Sequence, residues 1–97
     1  EANETQVYFT SLIETELEKV KAEENANNKH IIEDAISQLE ILEIDYNKLK
    51  QELITNGSDK RLLHAMISNF QLRINLLENV LEQLNEIKLL TNESNIL

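Results

Sequence analysis

Apolar residues along the chain recur for the most part every three or four positions, the spacing of one face of a helix. The first such run predicts a helix over about 4–23, with Val7, Tyr8, Leu12, Ile13, Leu17 and Val20 as its apolar stripe. Glu1 and Glu4 near its start suit the positive end of the helix dipole. The polar run Glu24–Lys29, "ENANNK", then breaks the pattern, and Asn27 or Asn28 is expected to cap the next helix.

A second helix is predicted over about 29–55. Ile32, Ala35, Leu39, Leu42, Tyr46, Leu49 and Leu53 alternate steps of three and four, which is a coiled-coil seam. A further set, Ile31, Ile36, Ile41 and Ile44, is expected to widen the apolar face over the first part of this helix, where the first helix would lie. "NGSD", Asn56–Asp59, stops it: Gly57 suits the left-handed conformation after a helix end, and Ser58 or Asp59 suits the next N-cap.

The third helix is predicted over about 59–90, its seam being Leu63, Met66, Phe70, Arg73, Leu77, Val80, Leu84 and Ile87. Flanking stripes of Ile67, Ile74 and Leu81, and of Leu62, Leu76 and Leu90, point to more than one neighbour. The polar tail 91–97 is expected to fray.

Short turns between the helices fold the chain back on itself twice, predicting one all-α domain over 1–97: a three-helix antiparallel bundle on a long helical hairpin, expected to pair as a dimer. The first helix is the shortest, so the Gly57 end is expected to be only two helices thick. Leu53, Ile54, Leu62, Leu63 and Met66 would stay partly exposed there and form an interaction surface.

Arg73 is the anomaly, a charge in an apolar seam. A buried guanidinium without partners is costly, so it is expected to pair with Glu4 first and Glu43 second, fixing the register of the three helices. The bland alternative is a side chain that covers the core with its stem and carries its head to solvent.

Composition narrows the function. A net charge of −9 argues against binding nucleic acid or an anionic membrane surface. With no cysteine, neither disulfides nor thiolate metal sites can form. No apolar run approaches the roughly 20 residues that span a bilayer. The only methionine is Met66, so the chain reads as a processed product or an excised fragment.

Catalytic and metal motifs are lacking. The positions three before His30 and His64 are Asn27 and Arg61, so neither histidine completes the Glu-x-x-His pair of a di-metal bundle. His30 and Asp34 are one turn apart but read better as an exposed helix start. Carboxylate pairs such as Glu14–Glu18 and Glu82–Glu86 read as solvated helix faces. Three N-x-[ST] sequons, at Asn3, Asn56 and Asn92, are expected to be accidents of an asparagine-rich chain. No enzyme activity, cofactor or metal is expected.

"AMISNFQLRINLLENVLEQLNEIK", with "ETQVYFTSLIETELEKV" and "ISQLEILEIDYNKLKQEL" before it, resembles a group of Bacteroidetes membrane-anchored proteins described as anti-sigma factors or left without an assigned function. The most specific part is Asn69-Phe70-Gln71-x-Arg73-x-x-Leu76-Leu77. The resemblance implies a helical region on the periplasmic side, following a membrane helix absent from this chain. The reading is a non-catalytic interaction or sensor module with a protein partner or a second copy of itself. The alternative is a cytosolic coiled-coil scaffold without a signalling role.

Overall fold

The computed structural model describes residues 2–57 and 59–96, with side-chain surroundings for 4–57 and 59–91. Three helices account for nearly all of it: α1, Ala2–Ala22, α2, Lys29–Asn56, and α3, Lys60–Ile96. They pack as an all-α bundle, drawn out into a rod of 61 × 21 × 18 Å.

The two turns form for local reasons. At the first, Asn25 Oδ1 accepts from the backbone N–H groups of Asn27 and Asn28 at 2.8 and 3.1 Å. Asn28 Oδ1 accepts in return from the Asn25 N–H, and Asn28 Nδ2 donates to the Glu23 carbonyl, both at 2.8 Å. Asn28 is thus the N-cap residue of α2 by position, but its buried side chain ties the turn together and does not cap the helix. At the second turn Gly57 sits at φ 81°, ψ −173°, a region that only glycine enters readily, and its N–H closes α2 on the Leu53 carbonyl at 2.9 Å. Asp59 caps α3: its Oδ1 accepts from the Arg61 N–H at 2.8 Å. Ser58, Glu1 and the side chains of Asn3 and Asn92 lie outside the described residues.

α3 is the spine. Both other helices pack along it, whereas α1 and α2 scarcely touch each other. α1 does fold back level with the first part of α2, but it makes its closest approach to α3. Of the extra isoleucines of α2, Ile31 and Ile36 are half-buried against the core, and the other two are not. Ile31, Ile36 and Ile41 are five residues apart, and each such step turns about 140° around a helix. Ile41 and Ile44 accordingly point outward, 59% and 56% exposed. The seam of α2 forms as its spacing implies, with Ile32, Ala35, Leu39 and Tyr46 buried and Leu42, Leu49 and Leu53 half-buried.

On α1 the buried stripe is Ile13 and Val20, flanked by half-buried Phe9, Leu12 and Leu17. Val7 and Tyr8, expected inside, are 65% and 61% exposed. The choice is made by Phe9, whose ring stacks on Phe70 of α3 at 5.2 Å. That contact also fixes the level of α1. α1 and α3 run parallel, so Ala2, seven residues before Phe9, comes level with Leu63, seven before Phe70. The bundle is therefore three helices thick almost to the Gly57 turn, and Met66, expected to be partly exposed, belongs to the core at 9% exposure.

α3 continues to Ile96, beyond the Leu90 end and through most of the tail expected to fray. Neither proline nor glycine follows Gly57 to interrupt it. This last part overhangs the other two helices, which leaves Leu89 and Leu90 62% and 64% exposed.

The Gly57 turn gives the first prediction. A Cβ at Gly57 meets nothing within 4 Å, so Gly57→Ala tests backbone strain alone. The substitution should lower the unfolding free energy by about 1–3 kcal/mol, read from urea unfolding; an unchanged midpoint would contradict this account of the turn.

Candidate functional site

The densest chemistry lies around Phe70, halfway along the bundle. Phe70, buried on α3, stacks with Phe9 of α1 on one side and packs against Tyr46 of α2 at 4.7 Å, tilted 47°. Tyr8 sets its ring edge-on to Phe9 at 5.3 Å. All four aromatic residues of the chain thus form one cluster across three helices.

Asn69, buried beside Phe70, donates its Nδ2 to the Leu42 carbonyl of α2 at 2.8 Å. Arg73, one turn on, lays its guanidinium over the Phe70 ring, with Cζ 5.6 Å from the centroid. Three polar atoms here are buried without a hydrogen-bond partner: the Tyr46 hydroxyl, Asn69 Oδ1 and Arg73 Nε. Burial drives the Arg73 pKa below its ordinary value, while Glu43 and Tyr46 nearby pull it back up. Burial likewise pushes the Tyr46 phenol up, against the opposing effect of the Arg73 cation.

The expected ion pairs of Arg73 are not formed. Among the described residues the salt bridges are Lys19–Glu16, Arg61–Asp59 and Lys88–Glu23, at 3.1, 3.6 and 3.8 Å. The Phe9–Phe70 stack explains the failure for Glu4: Arg73, three residues beyond Phe70, is level with Leu12, so Glu4 lies about 12 Å further down the bundle. Glu43 is close enough to favour the charged guanidinium but makes no salt bridge with it. Arg73 is therefore nearer the snorkelling alternative, its stem inside and its head steadied by an aromatic face.

Asn69 is the residue that the sequence reading passed over as a structural element. Its signal was available: Leu62, Asn69 and Leu76 are seven residues apart, so an asparagine occupies one position of an apolar heptad stripe.

At the Gly57 end, Ile54 is 68% exposed, Leu62 is half-buried, and Leu53 and Leu63 pack partly against the core. With Met66 inside, the expected interaction surface contracts to Leu53, Ile54, Leu62 and Leu63. A shallow cleft of about 290 Å³ adjoins it, lined by Glu52, Asn56, Asp59, Arg61 and Leu62. At the opposite end a cleft of about 250 Å³ is lined by Glu23, Asn27, Leu84, Lys88 and neighbouring residues of the asparagine turn. Among the described residues no three His, Asp or Glu side chains gather as metal ligands would, and no helix is long and apolar enough to cross a membrane.

Removing the charge at Arg73 tests which of its two readings holds. Arg73→Met keeps the stem and removes a head steadied only by an aromatic face, so it should change the unfolding free energy by no more than about 1 kcal/mol. A loss of about 3–5 kcal/mol would mean that an acidic partner holds the guanidinium after all.

No family model, curated protein or solved structure matches the chain.

Proposed function

We propose that this chain is a non-catalytic helical interaction module, belonging to the extracytoplasmic part of a membrane-anchored regulatory protein of the anti-sigma kind. The observation that carries the reading is a well-packed rod whose large hydrophobic side chains are not all used inside it. Ile54 at the Gly57 tip is 68% exposed, beside half-buried Leu53, Leu62 and Leu63. Apolar groups gathered at one end of a rod suit the docking of another protein chain. The membrane anchor and the periplasmic setting rest on the resemblance around Asn69-Phe70-Gln71-x-Arg73 alone.

The mechanism that fits is mechanical: a partner engages the tip, and the stiff α2–α3 hairpin passes the change in load along its length. Ile54 is the residue to perturb, because a charge there disturbs the surface and not the core. In the parent protein, Ile54→Glu should alter signalling output while leaving the helicity and unfolding midpoint of this domain unchanged. Unaltered output would refute the docking role. The flanking reading frame tests the setting: a span of about 20 apolar residues upstream supports a membrane anchor, and its absence would favour the cytosolic scaffold.

A further inference from the structure

Asn56, the last residue of α2, is followed by Gly57, the only glycine of the chain. That pair carries a chemistry of its own. The backbone nitrogen after an asparagine can attack the side-chain amide carbon, and a side chain on the following residue hinders the ring that forms. Glycine has none. The chain holds twelve asparagines, and Asn56 alone precedes a glycine.

The fold sets the access. Asn56 is exposed, and the space beside Gly57 is open, since a Cβ there meets nothing within 4 Å. The attacking nitrogen, however, donates to the Leu53 carbonyl at 2.9 Å, and Asn56 is held in the helix. The ring closes only when ψ of Asn56 leaves the helical range, which breaks that bond. The bond closes the end of α2, where helices open most readily. Other asparagines are held more firmly or hindered. Asn28 and Asn69 are buried and donate their side-chain amides to backbone carbonyls. Asn25 and Asn27 stand in the other turn, but Ala26 and Asn28 follow them, and Asn25 Oδ1 already accepts from two backbone N–H groups.

We propose that Asn56 is a self-modification site, at which the chain deamidates without an enzyme and at a rate set by opening of the last turn of α2. The Gly57 nitrogen forms a bond to Asn56 Cγ, the bond from Cγ to the amide nitrogen breaks, and ammonia leaves with the proton that Gly57 gave up. Water then opens the cyclic imide at either carbonyl. One product is aspartate. In the other, isoaspartate, the main chain runs through the former side chain and gains a methylene. Both place a carboxylate at the C-terminal end of α2, where the helix dipole disfavours it, in the cleft that Glu52, Asp59 and Arg61 line with Asn56. The site does not depend on whether anything docks at Ile54.

Incubation of the purified chain at mildly alkaline pH, followed by peptide mass spectrometry, tests the assignment. A gain of one mass unit is expected at Asn56 before any other asparagine, and faster as pH rises, because the attacking nitrogen must lose its proton. The folded chain should react about tenfold more slowly than the chain in guanidinium chloride, as expected when a terminal turn is open only a small fraction of the time. Leu53→Ala removes the last seam contact of α2 and leaves Asn56 and Gly57 in place, so it should bring the folded rate towards the denatured one, with helicity checked by circular dichroism. Asn56→Gln should abolish the modification. The proposal is overturned if another asparagine reacts first, if Asn56 stays intact in the folded chain, or if folded and denatured chains react at one rate. A folded Leu53→Ala variant that reacts no faster than the parent chain would overturn it as well.

Discussion

Phe70 meets Phe9 across a stacked contact of 5.2 Å and Tyr46 across a tilted one of 4.7 Å, and so ties α1 and α2 to α3 at one level. Because α1 and α2 scarcely touch each other, α3 is what relates them, and Phe70 is the residue on α3 that grips both. Aromatic pairs add roughly 0.5–1.5 kcal/mol each beyond the area they bury. Their larger effect is on register. The stack decides that Phe9 and not Tyr8 faces inward, and that α1 reaches nearly to the Gly57 turn. It puts Arg73 beside Leu12, out of reach of Glu4.

Polar groups around this ring divide into one that specifies and others that are tolerated. Asn69 makes a hydrogen bond across the α2–α3 interface, to the Leu42 carbonyl. A single buried asparagine in an apolar heptad is a known way of fixing alignment at some expense in stability. Arg73, first suspected of that role, has a buried Nε without a partner and a head over an aromatic face. The Tyr46 hydroxyl is buried and unpartnered as well. Such groups each cost about 1–3 kcal/mol, so this stretch combines the strongest interhelical grip with the least satisfied polar atoms.

The features legible in the sequence were the local ones. Three helices, the seam of α2, and the stop at Gly57 followed by the Asp59 cap follow from spacing and turn chemistry over a few residues. What the sequence left open was decided between helices. Val7–Tyr8–Phe9 offers three adjacent apolar residues, and periodicity within α1 cannot choose among them; a ring on α3 does. Of the isoleucines expected to widen the apolar face of α2, Ile31 and Ile36 pack against the core, while Ile41 and Ile44 wind round to solvent. Met66 was placed at a thin end because the parallel register of α1 and α3 was misjudged, by about two turns in the case of the failed Arg73–Glu4 pairing. Asn69 sat in plain view at heptad spacing, but its bond to the Leu42 carbonyl needs α2 alongside. The apolar tip survives the correction without Met66.

The central claim is that Phe70 couples α1 and α2 through its ring, and a pair of double-mutant cycles addresses it most directly. Unfolding free energies would be measured for Phe9→Ala, Tyr46→Ala, Phe70→Ala and the two double variants that include Phe70→Ala. The account predicts coupling of about 0.5–1.5 kcal/mol in each cycle, with the Phe9 cycle reporting the hold on α1 and the Tyr46 cycle the hold on α2. Energies that simply add in either cycle, within about 0.3 kcal/mol, would contradict it.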